Sequence, residues 1–239
     1  MIRGLYTSGW SMLAESKRMD VISNNLANVN TTAYKKDTVV FQSFPEVLTR
    51  RINDDGMSVD NPSGRVGTMR LGSDIGEVYT YYTQGKLLGT NKPTDLAIKD
   101  SDNAFFTVQV IDAQGIAREY YTRDGSFTLD GNNRLVTSEG YPVLGEYGEI
   151  YLDGSNFIVE EDGTIIQGYD VIDRLLIREF EDTSVLRKQG DNLVTYDGEV
   201  QMREFTGMVQ QGFLEQSNVN IVNEMVDMIT VLRAYEANQ

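Results

Sequence analysis

The chain reads as an α+β fold: amphipathic helices at its N- and C-terminal ends pair as a coiled-coil-like element and carry an all-β central domain of short antiparallel strands. The two ends repeat apolar residues at seven-residue intervals, the period of a helix that buries one side against a partner. The middle instead alternates apolar and polar residues in runs of one strand's length, with Asp-Gly pairs at 124–125, 130–131, 153–154, 162–163 and 197–198. Asp-Gly between alternating runs is a hairpin signal.

In the first stretch Leu5, Met12, Met19 and Leu26 recur every seven residues, and Ile22 and Val29 join the stripe. Asn24, Asn25, Asn28 and Asn30 then weaken the helix, because their side chains compete for backbone hydrogen bonds. This density of asparagine predicts a stop near 28–30, and a turn held by side-chain bonds or polar contacts to neighbouring chains. Residues 35–76 read as an extended piece, a short helix opening at Pro45, and a loop rich in Gly, Asp, Asn and Ser. Residues 77–199 read as the β domain, a barrel or sandwich. The helical pattern resumes after Gln201, with Met208, Val209, Phe213 and Leu214 leading in. Ile221, Met225, Met228, Leu232 and Tyr235 then follow a 4-3-4-3 spacing. The expected organisation is 1–34 with 214–239 as a helical assembly domain, 35–76 with 200–213 as connector, and 77–199 as outer domain.

Charge supports pairing of the ends. Residues 1–36 hold five basic and two acidic side chains, net +3; residues 214–239 hold one basic and four acidic, net −3. Exposed ion pairs contribute only about 0–1 kcal/mol each, so this charge sets partner choice and register more than strength.

Composition narrows the function. The net charge of −15 opposes binding to nucleic acid, which needs a basic surface. The chain has no cysteine and no histidine, which removes disulfides, thiolate chemistry, and the usual general base and metal ligands. No cofactor, metal or small-molecule substrate is expected. No apolar run approaches the roughly 20 residues that span a bilayer. Thr7, Ser8, Gly9 and Ser11 interrupt what would be the apolar core of a secretory signal.

The segment ISNNLANVNTTAYKK, 22–36, resembles the N-terminal signature of flagellar rod and hook proteins. In that family Asn-Asn-Leu-Ala-Asn is followed by Thr and a Gly-Phe-Lys-like end. Asn24, Asn25, Leu26, Ala27, Asn28, Thr31 and Lys35 match, while Ala33-Tyr34 departs mildly. TDLAIKD (94–100), YTRDGSFTLD (121–130), RLVTSEGYPVLG (134–145) and the segment 214–239 also resemble this family, in order along the chain. Asp102-Asn103-Ala104 stands where the family usually has Gly-Asp-Gly, which implies a different turn there.

The chain is therefore identified as a member of the flagellar basal-body rod family, of the proximal/distal FlgF/FlgG type. Residues 45–70 lack the Pro-Gly-rich stretch associated with the distal rod, which leans towards the proximal-rod or a spirochaete/Firmicute-like variety and leaves the choice between the two rod types open. The resemblance implies a subunit that self-assembles helically around an export channel and transmits torque. Its implied partners are itself, other rod and hook proteins, the ring proteins that act as bushing, and the flagellar type III export apparatus. It also implies a place in the periplasm-spanning rod, reached without a cleaved signal peptide, and a C-terminal helix that runs on beyond Gln239. The assembly interface is expected at Leu5, Met12, Met19, Ile22, Asn24, Asn25, Leu26, Asn28, Ile221, Met225, Met228, Leu232 and Tyr235.

Three other readings compete. A hook-type axial protein shares the same signatures. A secreted structural or adhesin fibre would also use terminal coiled coils. A carboxylate-based peptidoglycan hydrolase could draw on Asp153, Glu160, Glu161 and Asp162, but acidic residues at Asp-Gly turns are explained by turn geometry. The methionines of the seam favour adaptable packing over metal binding.

Overall fold

The computed structural model describes residues 2–50, 65–70, 72–111, 115–190, 192–196, 198 and 200–239. Among them, helix lies only at the two ends, α1 over Ile2–Ala27 and α2 over Ile221–Asn238, with strands between, as the α+β reading requires. Neither helix is long and apolar enough to cross a membrane. The chain divides into two units: Met1–Leu26, Asp37–Thr80 and Ile221–Gln239 form the first, and Ala27–Lys36 with Tyr81–Asn220 the second.

In the first unit α1 stops where the asparagines predict. The turn that follows is closed by Thr31 N donating to Asn28 O (3.2 Å). α2 begins after Asn220 and carries Glu224 in its first turn, where a carboxylate suits the positive end of the helix dipole. The helices are joined at both ends of α2. Asn25 Nδ2 donates to Glu224 Oε2 (3.2 Å) and Asn238 Nδ2 to Ser11 Oγ (3.3 Å), so they run antiparallel. The same unit holds two antiparallel ribbons, Asp37–Ser43 with Ser73–Thr80 and Val47–Arg50 with Arg65–Met69. A two-stranded ribbon is marginal in water. The longer of these leans on α1 through an edge-to-face contact of Trp10 with Phe44 (5.1 Å) and the Arg18 guanidinium over the Phe41 ring (5.9 Å).

Residues 47–50 correct the expectation of a helix at Pro45. β-branched Val47 and its neighbours find a ladder in 65–69, a partner that local propensity cannot see. Residues 65–69 and 73–80, expected as loop, are strands for the same reason. The rest of that expected loop, 53–64 and Leu71, lies outside the described residues.

The second unit is antiparallel β. Its main sheet has six strands in the order Leu186–Gln189, Leu193–Tyr196, Ala117–Thr122, Ala104–Ile111, Ile177–Phe180, Met202–Arg203. Beside it stands a three-stranded sheet, Ile158–Val159, Thr164–Gln167 and Asp170–Arg174. One buried cluster gathers Leu96, Ile98, Phe106, Val108, Phe127, Leu135, Ile165 and Val209 among others. A second centres on the aromatics Phe105, Tyr121 and Phe180 in edge-to-face contact (5.0–5.7 Å).

The Asp-Gly signal divides. At 162–163 it closes a hairpin, with Gly163 at φ 89° and Thr164 N donating to Asp162 Oδ1 (3.0 Å). At 124–125 it does not: a Cβ on Gly125 would lie 1.6 Å from Leu96 O, so this glycine permits a close backbone crossing. The helical reading of 201–214 is also corrected. Met208–Gln211 pairs with Leu96–Lys99 and Phe213–Glu215 with Leu87–Gly89, with Gly212 at φ 78° between them.

Candidate assembly site

In α2, Glu224 and Val231 are buried (1% exposed each), and Met228, Tyr235 and Asn238 on the same side are half-buried. The opposite side is apolar yet open: Ile221, Val222, Met225, Val226, Ile229 and Leu232 are 40–68% exposed. The expected seam straddles these two faces. Met228 and Tyr235 lie on the inward one, and Ile221, Met225 and Leu232 on the outward one.

α1 is divided in the same way. Ile22 (6%) and Asn25 (1%) are buried; Met12, Met19 and Leu26 are half-buried; Leu5 is 73% exposed and Asn24 is exposed. Asn28 belongs to the second unit, half-buried, and its Oδ1 accepts from Thr31 Oγ1 (3.1 Å). Asn25 also ties α1 to the strand that follows it. Besides Glu224, it donates through Nδ2 to Asp37 O (2.8 Å) and accepts through Oδ1 from Asp37 N (3.0 Å).

In the second unit, sequence reading missed a buried ionic node. Glu215, 2% exposed, accepts through Oε1 from Lys35 Nζ (2.6 Å) and Gly85 N (2.8 Å), and through Oε2 from Arg123 Nε (2.9 Å). Its carbonyl accepts from Ala33 N (2.8 Å). Lys35 Nζ also reaches Thr83 O (2.8 Å), and Arg123 Nη1 reaches Ser101 O (2.7 Å) and Ala104 O (2.5 Å). Burial pulls the Lys35 ammonium below its ordinary value of 10.5; Glu215 opposes that shift and Arg123 adds to it. Lys188 Nζ sits 4.1 Å from the Tyr34 ring centre and donates to Lys35 O (2.8 Å). Lys35 closes the Asn-rich motif, which was the available signal. Lys35 lies 180 positions and Arg123 92 positions from Glu215 along the chain, separations that no local pattern announces.

The carboxylates considered for hydrolysis are engaged in turn geometry or open to solvent. Both Asp162 oxygens accept from Thr164 (2.9–3.0 Å), which holds its carboxyl below the usual range, and Glu160 and Glu161 are exposed. Among the described residues no cluster of three acidic side chains could hold a metal ion. The geometry offers open apolar surface on α2 and buried polar ties that fix the backbone.

Comparison with known proteins agrees. Residues 5–35 match the model of the flagella basal body rod protein family, and residues 210–239 that of the flagellar basal body rod FlgEFG protein C-terminal region. The chain is 36% identical to the flagellar basal-body rod protein FlgG of Buchnera aphidicola subsp. Acyrthosiphon pisum, covering 100% of this chain and 94% of the relative. It is 32% identical to the flagellar hook-basal body complex protein FlhO of Bacillus subtilis, over 100% and 93%. It is also 32% identical to the flagellar basal-body rod protein FlgF of Caulobacter vibrioides, over 99% and 91%. With full-length relatives and both terminal models matched in order, the chain belongs to the flagellar basal-body rod protein family.

Proposed function

We propose that this chain, a structural subunit of the flagellar basal-body rod, polymerises by covering the open apolar side of α2 with a neighbouring subunit. The observation that carries this reading is the row Ile221/Val222, Met225/Val226, Ile229 and Leu232. Each such side chain gains roughly 1.5–3 kcal/mol when fully removed from water. A surface that meets a different surface of the next copy gives an open helical polymer, which is the form of a rod. Leu5, Met12, Met19 and Leu26 on α1 extend the same interface.

In this reading the terminal helices line the export channel, the β unit faces the bushing rings, and other rod and hook proteins cap the two ends of the stack. The protein carries load and has no catalytic task. It binds no nucleic acid and reaches the basal body through the type III export apparatus.

The test is complementation of a rod-deficient strain with Val226→Asp and with Ile229→Asp. Both positions are exposed in the single chain (57% and 51%), so the purified variants should fold as the parent does. Basal bodies in these strains should stop before a complete rod. Complete rods and normal swimming with both variants would refute the reading.

A further inference from the structure

The buried ionic node of the second unit holds more positive charge than its carboxylate covers. Lys35 and Arg123 share Glu215, which leaves one positive charge in excess. Lys188 brings a third cation beside them, bonded to Lys35 O. Exposed Asp102 attracts Lys35 only through space. A buried charge without its counter-charge is costly. The same three cations line a small cavity within the unit, together with Tyr82, Phe105 and Asn192. Among the described residues no carboxylate lines it. Its volume of about 10 Å³ admits a single particle of about water's size. Arg123 is 3% exposed, and its Nε and Nη1 are spent on Glu215, Ser101 O and Ala104 O. Its Nη2 is buried with no hydrogen-bond partner in the chain, a condition that native structures seldom tolerate. Across from it, Asn192 Nδ2 donates to Asp124 Oδ2 (3.2 Å) and Asn192 Oδ1 is buried without a partner.

We infer that this cavity binds a small monovalent anion of chloride's size, held by Arg123 Nη2 and the Asn192 amide and neutralised by Lys35, Arg123 and Lys188. The volume excludes phosphate and carboxylate ligands. Water would satisfy Nη2 but leave the excess charge uncovered. A half-turn of the Asn192 amide exchanges its oxygen and nitrogen at equal size. Nδ2 then becomes a second donor to the anion, and Oδ1 faces Asp124. Burial pushes the Asp124 carboxyl above its ordinary value, towards the protonated form that can donate to Oδ1. The anion ties the segment that follows α1, through Lys35, to Arg123 and to the hairpin of Leu186–Gln189 with Leu193–Tyr196. The site lies within one unit and stands whether or not the rod reading does.

The test is to melt the purified full chain at constant ionic strength while sodium chloride replaces sodium gluconate, whose anion is too large for the cavity. The β signal should melt roughly 3–5 °C higher once chloride reaches about ten times its Kd. Lys188→Gln, at a half-buried position, should move the chloride midpoint on the order of tenfold higher. Arg123→Lys, which removes Nη2, should abolish the response. Crystals grown in bromide should show an anomalous peak within hydrogen-bonding distance of Arg123. A melting temperature indifferent to the exchange overturns the inference, and so does a response that both variants leave intact. If Arg123→Lys fails to fold, Lys188→Gln decides in its place. A bromide peak without a melting response marks an adventitious ion only and overturns the inference, as does ordered water where the peak should stand.

Discussion

Glu215→Gln removes one negative charge at almost constant volume. Two buried cations, Lys35 and Arg123, then face each other without their shared carboxylate, and one amide N–H₂ points at a donor. Breaking a buried ion pair by deleting one partner costs about 3–5 kcal/mol. Lys35 can relieve part of that by losing its proton. Its ammonium is already held below 10.5 by burial, and Glu215 is the group that opposes this shift. Without Glu215 the folded value falls further. Between the folded value and 10.5 the native state binds fewer protons than the unfolded chain, so stability rises with pH in that window. The window reaches lower in the variant than in the parent. The stability deficit of Glu215→Gln should therefore be about 3–5 kcal/mol near pH 7 and shrink steadily towards pH 10. Urea titrations followed by far-UV circular dichroism of the β signal, at several pH values, measure this directly. A deficit below about 1 kcal/mol at pH 7, or one that does not change with pH, would refute the assignment of the node as ionic and buried.

Three further outcomes follow from single positions. Ala33 adopts φ 56°, a left-handed conformation that costs a side chain about 1–2 kcal/mol, so Ala33→Gly should raise the melting temperature despite creating a more flexible unfolded chain; a lower one would contradict the strain argument. Gly125→Ala should disrupt folding of the β unit, because its Cβ would overlap the backbone at Leu96; soluble protein with native circular dichroism and proton exchange would show that crossing to be looser than described. Arg123→Lys keeps the charge but gives up the planar fork that reaches Glu215, Ser101 and Ala104 together, and should cost about 2–4 kcal/mol in the same urea titration; parent-like stability would mean the fork is dispensable.

How much of this was written in the sequence depends on how far apart the cooperating residues lie. α1 and α2 were legible because a seven-residue repeat is local, and the asparagines marked the end of α1 to within a residue or two. The strands at 47–50, 65–69 and 208–215 were not, because each is a strand only by virtue of a distant partner. Met208, Val209, Phe213 and Leu214 have helix-like spacing, but Gly207 and Gly212 cut that segment short, and Val209 is drawn into the β core. In α2 the spacing gave the helix but blended two faces, since Glu224, a charged residue, anchors the inward one. Asn25 is one of four asparagines expected to bond through their side chains in a turn or to neighbouring chains; in the structure it bonds Asp37 and Glu224 from within α1. Lys35 closes a recognisable motif, but its pairing with Glu215 and Arg123 carries no periodic signature and became visible only when the fold brought them together.

The long reach of these ties also sets the order in which the molecule can close. Lys35 meets Glu215 across 180 positions, and Asn25 meets Glu224 across 199. Contacts of such high contact order form late and slowly. Before then Lys35 and Arg123 hold only part of their bonds, those to Thr83 O and to Ser101 O and Ala104 O. The last bonds of the ionic node and of the helix pair thus belong to the end of folding, when segments far apart in sequence come together.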